Sequence, residues 1–318
     1  MQMPRKRHCT VIIRPENKRL PSAGAASRIV LIVFNPTAGL RRTARLWRVL
    51  DLMSANGMRI ELAETRHVGH ATLLAREAAA RGARLVVAAG GDGTIAEVVN
   101  GLNGSECRLG VIPLGTANVL AHELALPFTP RDVAGALAFG RTQAIWPGLA
   151  HGAEGARVFV QMLGAGFDAR VVQTLPLGLK RILGRGAYVV QMMRELAEYR
   201  FRPIRLTIDG ASREAGSVIV SKGHFYAGRY VLAPGASPTA RGFTVALFNR
   251  TGPAAALLNG AALPLNLLPH MPGVCLIRAE HVAILSEDVP TQTDGDFAGA
   301  VPLTICESAT PIEVVVGG

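Results

Sequence analysis

Three times in its first half the chain carries an uninterrupted apolar run straight into a turn: Arg28–Asn35 (RIVLIVFN), Leu85–Ala89 (LVVAA) and Leu109–Pro113 (LGVIP). None of them alternates polar with apolar residues, as a strand with one wet face would. A short continuous apolar run bounded by turn signals reads as a strand buried on both faces. Helical stretches lie at Arg41–Met53, Ala71–Arg81 and Ala117–Leu126, and Met58–Thr65 reads as a further strand. Strands alternating with helices at this spacing predict an α/β fold built on a doubly wound, largely parallel sheet.

After about Trp146 the texture changes. Short runs at Val158–Gln161, Ile204–Asp209, Ser217–Ser221, Phe243–Phe248, Val274–Arg278, His281–Ser286 and Ile312–Val316 predict a mostly antiparallel, β-rich second lobe. At 318 residues there is room for two domains. We expect a basic disordered tail over 1–27, an α/β domain over 28–145 and a β-rich domain over 146–318, with a cleft between the lobes. The last strand is free to return to the first domain.

Mean hydropathy is +0.27, yet no apolar run reaches the roughly 18 residues of a membrane span. The nearest, Pro253–Gly273, is broken by Asn259, Pro264, Asn266 and Pro269. The N-terminus lacks the apolar core of a secretory signal, so a cytoplasmic protein is expected. Cys9, Cys107, Cys275 and Cys306 form no CxxC pair and read as reduced thiols. A net charge of +11, part of it on Arg5, Lys6, Arg7, Arg14, Lys18 and Arg19, calls for an anionic partner. Nucleic acid is set aside for want of a recognition motif. An anionic membrane surface fits, each basic residue near it being worth about 1 kcal/mol.

The chemistry sits in the turns. In LVVAAGGDGTIAEVVNGL, Gly90, Gly91 and Gly93 allow backbone approaches that side chains would block. Thr94 and Glu97 have the spacing of a capping box, and Ile95, Val98, Val99 and Leu102 line one helical face. Strand, glycine turn and helix N-terminus make a phosphate cradle. No GxxxxGK[ST] occurs, and the loose GxGxxA match lacks an acidic residue at the end of the next strand. A carboxylate at Asp92 beside a phosphate makes sense with Mg²⁺ or a hydroxyl proton at hand.

The blocks Asn35-Pro36-Thr37-Ala38-Gly39, Gly90-Gly91-Asp92-Gly93-Thr94 and Pro113-Leu114-Gly115-Thr116-Ala117-Asn118, followed by Gly164–Ala169, Ala233-Pro234 and Asp294-Gly295-Asp296, resemble the diacylglycerol kinase catalytic-domain family. That family includes bacterial lipid kinases and the sphingosine and ceramide kinases. The resemblance covers nearly everything after the tail. It implies that the first domain binds ATP and the second a lipid, whose hydroxyl attacks the γ-phosphate. By this resemblance Asn35, Pro36, Thr37, Ala38, Gly39, Thr65, Gly90, Gly91, Asp92, Gly93, Thr94, Ile95, Ala96 and Thr116 would contact the nucleotide. Asp92 would act through Mg²⁺-ATP, Asp294 as the general base and Asp296 as a partner carboxylate near the metal. On pattern alone TQTDGDFAG is first of all a hairpin turn.

Two departures stand out. Where many bacterial members have Asp-Gly after the Ala-Pro block, contributing to a structural Mg²⁺ site, this chain has Arg241-Gly242, a cation in place of a ligand. Ser221-Lys222 and Ala227-Gly228 replace the family's usual Asn and paired glycines. The expected reaction is phosphorylation of a neutral lipid, diacylglycerol first, giving phosphatidic acid, at the inner face of the membrane. A sphingoid base or ceramide is the alternative acceptor. NAD kinase and a catalytically degenerate binding protein are more distant readings, and a homodimer is left open. Pro176–Arg200 is a candidate lipid entrance or an ordinary surface helix, with Leu175, Leu177, Leu179, Ile182 and Leu183 for acyl chains and Lys180, Arg181 and Arg185 for headgroups. His70, His122 and His224 are assigned no role.

Overall fold

The computed structural model describes residues 11–13, 29–37, 43–153, 155–176 and 186–317. The chain divides into two compact units, 1–115 with 124–144 and 312–318, and 116–123 with 145–311.

The first unit runs β1 (Val11–Ile13), β2 (Ile29–Phe34), α1 (Thr43–Ala55), β3 (Arg59–Glu64), α2 (His70–Ala80), β4 (Leu85–Gly90), α3 (Asp92–Leu102) and β5 (Arg108–Pro113). The short α4 (Val119–Glu123) belongs to the second unit, and α5 (Pro130–Phe139) and β6 (Arg141–Ile145) follow it. Seven strands form one sheet in the order β1, β3, β2, β4, β5, the strand Ile312–Val316, and β6. From β1 to Ile312–Val316 every registered pair is parallel. The apolar runs are buried on both faces, as their lack of alternation requires. Ile32 and Phe34 of β2 pack with Leu46, Val49, Leu50 and Met53 of α1 and with Val133, Ala134 and Leu137 of α5. Successive side chains of a strand alternate faces, so Leu31 and Val33, also buried, point away from that layer. Val11–Ile13, expected within a disordered tail, instead adds a parallel strand beside β3, pairing Val11 with Ile60. Helix α5 has a start signal that the sequence reading passed over. Pro130 opens it, and the Thr129 side chain accepts from Asp132 N at 3.2 Å.

The second unit is a pair of antiparallel sheets. One has the order β11 (Ala211–Ala215), β10 (Ile204–Ile208), β17 (Val282–Ile284), β20 (Leu303–Glu307), β7 (Gly148–Gly152), β8 (Gly155–Phe159). The other has β16 (Val274–Ala279), β15 (Phe243–Phe248), β12 (Ser217–Ser221), β9 (Met162–Ala165), β18 (Pro290–Thr293), β19 (Asp296–Ala300). One core draws on both, with Phe159, Leu206, Ile284 and Ile305 from the first and Leu163, Val218, Phe243 and Val245 from the second. The ribbon β13 (Phe225–Tyr226) and β14 (Tyr230–Val231) and the helices α6 (Phe167–Thr174), α7 (Gly186–Glu198) and α8 (Pro253–Ala262) complete the unit. The expected strand Val158–Gln161 is split: Val158 and Phe159 end β8, whereas Val160 and Gln161 are a break where the chain passes from β8 in one sheet to β9 in the other.

Candidate functional site

In the first sheet β2 neighbours β4, although β3 lies between them in sequence. The chain leaves β2 to one side and returns on the other, and such a reversal is where open α/β sheets leave a crevice for ligands. The turns after β2 and β4 wall this crevice, and Asn35 Nδ2 donates across it to Thr94 Oγ1 at 3.1 Å. Asn35 Oδ1 accepts from Thr37 N at 3.0 Å and Thr37 Oγ1 at 2.8 Å, which folds the turn back on itself. Thr65, just past β3, is held alongside by its N–H on Phe34 O at 2.8 Å. Leu114 and Gly115 N–H donate to Gly90 O at 2.8 and 3.1 Å, tying the third turn to the second. A Cβ on Gly90 would lie 2.4 Å from Thr94 Oγ1, so only glycine lets that threonine side chain lie over the strand end.

Helix α3 begins at Asp92 with Gly91 as its N-cap. Its first ladder bond is Ile95 N to Gly91 O at 3.1 Å. The N–H groups of Asp92, Gly93 and Thr94 therefore precede the ladder, at the positive end of the helix dipole. Ile95 is fully buried with its N–H inside the ladder, and Ala96 follows it within the helix, so a phosphate at this helix end would take backbone donors from the residues before them. The capping box does not form. The helix starts three residues earlier than the pattern implies, which leaves Thr94 inside it and bonded to Asn35. Glu97 instead accepts Gly69 N at 2.9 Å and Ala71 N at 3.0 Å, capping the start of α2. Ala38 and Gly39 lie outside the described residues, and Thr116 opens the short 116–123 segment of the second unit.

In the second unit Asp294 and Gly295 are the two residues joining β18 to β19, with φ of 52° and 85°. Positive φ at both central residues is the hairpin geometry that suits twisted strands, so the plain hairpin reading holds. What it left out is the direction of the Asp294 carboxylate. Oδ2 accepts Val160 N at 2.8 Å, and Oδ1 accepts Gln161 N at 2.8 Å and Met162 N at 3.0 Å. These are the N–H groups of the break between β8 and β9 and of the first residue of β9. The carboxylate supplies the acceptors that a neighbouring strand would otherwise provide. Asp296 is half-buried at the start of β19, opposite Thr293.

Residues 29–149 match the diacylglycerol kinase catalytic domain, and residues 161–316 match the YegS C-terminal NAD kinase beta sandwich-like domain. A diacylglycerol kinase of Bacillus subtilis (strain 168) is 31% identical over 282 residues, covering 85% of this chain and 90% of that protein. The chain belongs to the diacylglycerol kinase catalytic-domain family. It is a lipid kinase. A diacylglycerol kinase of Staphylococcus aureus (strain MRSA252) is 28% identical over 294 residues, covering 89% of this chain and 90% of the other. A crystal structure of a diacylglycerol kinase from Bacillus anthracis (strain Sterne) superposes with a TM-score of 0.66 at 20% identity, covering 92% of this chain and 97% of that one. It shares the fold.

Several groups of the kinase's second unit carried no assigned role in the sequence. Asp168, inside the quoted GAGFDA block, accepts from Tyr226 Oη and from Gln292 Nε2, the latter at 2.9 Å. Burial raises its pKa against the pull of these two donors, and burial followed by the Asp168 charge raises that of Tyr226. Glu123, on α4, accepts Phe225 N at 2.6 Å. Burial pushes its carboxyl up to about 7, with the backbone donors of Phe225 and His224 pulling the other way. Spacing offers no signal for these pairings, because the partners lie 58 to 124 residues apart.

Asp92 and the corner at Arg241 differ in how they suit a metal. Asp92, a carboxylate on the first helical turn beside the N–H groups that precede the ladder, is of a type that could reach Mg²⁺ carried on a nucleotide. The position at Arg241 does not suit a metal. Lys222, fully buried, donates from Nζ to Ala240 O and Gly242 O, each at 2.9 Å, and to Glu307 Oε1 at 2.6 Å. Arg241 Nε donates to the other oxygen of the same carboxylate. Burial lowers the Lys222 pKa, and Glu307 offsets only part of that shift. Adding a divalent ion would put a third cation on one carboxylate.

Proposed function

We propose that this lipid kinase transfers the γ-phosphate of ATP to the free hydroxyl of diacylglycerol, giving phosphatidic acid. The observation that carries the ATP reading is the Asn35–Thr94 bond across the β2/β4 reversal. It brings the turn after β2 and the phosphate-binding helix start together at the crevice where this sheet type takes a nucleotide. Thr37, Gly90, Gly91, Gly93 and Thr65 border the phosphates, with Asp92 and Asp296 as carboxylates for Mg²⁺. When bound, that ion neutralises charge on the transferring phosphoryl group.

Asp294 accepts the proton of the attacking hydroxyl. Three backbone donors fix the position and plane of its carboxylate, and phosphoryl transfer depends on such positioning more than on covalent help. The acceptor is drawn from an anionic membrane surface at which the enzyme docks peripherally. No helix among the described residues is long and apolar enough to cross a membrane. Val189 and Met193 of α7, Leu257 and Leu258 of α8, and Leu265 and Leu267 just beyond it expose apolar side chains suited to an interface. Of the expected lipid entrance, residues 177–185 lie outside the described residues, and α7 is its remaining helix.

The test is transfer of labelled phosphate from ATP to a panel of diacylglycerol, ceramide and sphingoid base in mixed vesicles. Diacylglycerol should label fastest. Faster labelling of ceramide or sphingoid base would overturn the acceptor, and labelling of none would overturn the reaction.

A further inference from the structure

The Lys222 ammonium is surrounded as a metal ion would be. An ammonium has three donors and no acceptor, and here all three are used, on two backbone carbonyls and one carboxylate oxygen. Oxygens of those types are the ligands that hard divalent cations take. The fourth side is the face of Phe243, with Nζ 5.2 Å from the ring centroid. Outside this shell Arg241 lies on the Trp146 ring, 4.0 Å from its centroid, and holds the second oxygen of Glu307. Gly242 N also donates to Glu307 Oε1, at 2.9 Å.

The departures noted in the sequence at Ser221-Lys222 and at Arg241 thus meet in one device with Glu307 at its centre. A carbonyl pair and a carboxylate converge on a single point, and the chain has put its own cation there. Removing either the ammonium or the carboxylate would leave a buried group without its counter-charge, which is more costly than never having placed the pair.

We infer that the Lys222 ammonium, backed by Arg241, is a built-in replacement for a structural divalent cation at the corner formed by Ala240, Gly242 and Glu307. The second unit then needs no bound metal to hold this corner. Any metal requirement of the enzyme arises from the nucleotide alone.

The test uses the full chain without nucleotide and reads thermal melting in excess EDTA and in millimolar Mg²⁺, with Mn²⁺ binding followed by electron paramagnetic resonance. Wild type should melt at the same temperature in both solutions. Lys222→Met, which leaves Arg241 on Glu307, should melt roughly 10 °C lower and gain nothing from Mg²⁺. Lys222→Asn combined with Arg241→Asp should be destabilised in EDTA, recover with Mg²⁺ in a saturable way and bind one Mn²⁺ more than wild type. The inference is overturned if Mg²⁺ raises the wild-type midpoint, if Lys222→Met melts like wild type, or if the double variant responds to neither ion, folded or not.

Discussion

Replacing Asp294 by Asn tests a catalytic base and a structural plug at once, and the structure separates the two effects. The carboxylate accepts three backbone N–H groups, two on Oδ1 and one on Oδ2. An amide has one oxygen, so its best orientation keeps the Gln161 and Met162 bonds and turns an NH₂ group toward Val160 N. One hydrogen bond to a charged acceptor is lost, worth about 1.5–3 kcal/mol, and a donor is left facing a donor. The expected destabilisation is about 3 kcal/mol, or roughly 5–10 °C in melting temperature for a unit of this size. Loss of a general base costs about 10²–10⁴ in turnover. Melting by circular dichroism and labelled-phosphate transfer to diacylglycerol, assayed well below the lowered midpoint, should therefore both fall. An unchanged midpoint would refute the hydrogen-bond accounting, and wild-type turnover would refute the base. Gly295→Ala supplies the control, because it strains a backbone at φ 85° by about 1 kcal/mol and leaves the carboxylate in place. If it abolishes transfer as fully as Asp294→Asn, the corner's shape and not the proton acceptor limits the rate.

Three further outcomes are expected. Gly90→Ala places a methyl 2.4 Å from Thr94 Oγ1, so steady-state kinetics should show KM for ATP raised by about tenfold, with roughly 1–3 kcal/mol lost in stability. Glu123 has its pKa raised from 4.5 to about 7 in the folded chain; the native state holds its proton more tightly, so wild type loses stability as pH rises through that window, and melting of Glu123→Gln between pH 5 and pH 8 should show a smaller loss. Glu307→Gln leaves the Lys222 ammonium without a counter-charge and should cost about 3 kcal/mol in urea unfolding; little of that comes from Arg241, whose side chain is 67% exposed and screened.

Much of the first unit was legible because burial on both faces writes itself as unbroken apolar runs, and β2, β4 and β5 fall within a residue or so of where those runs end. The three glycine turns were equally legible, since they need residue types that nothing else supplies. The capping box misled because Thr-x-x-Glu records a spacing and not a partner. Asp92-Gly93 extended the helix backwards, and Glu97 found better donors on α2. The break at Val160–Gln161 read as a strand since its residues are β-formers. What stops the ladder there is a carboxylate more than 130 residues away, and no local pattern announces it. Lys222, Arg241 and Glu307 make the same point: two looked like defects while the residue that joins them stood unnoticed near the end of the chain.

The position of Ile312–Val316 has a consequence for how the protein is made. It lies inside the first sheet, between β5 and β6, yet it is synthesised only after the strands of the second unit. Until then the first sheet has a gap in it, with the edges of β5 and β6 open to pairing with other chains. Nearly the whole β-rich unit must be synthesised while that gap waits, so the first unit to emerge is the last to be completed. Loss of this one strand would leave the first sheet open between β5 and β6, while the second unit would keep every strand of its own.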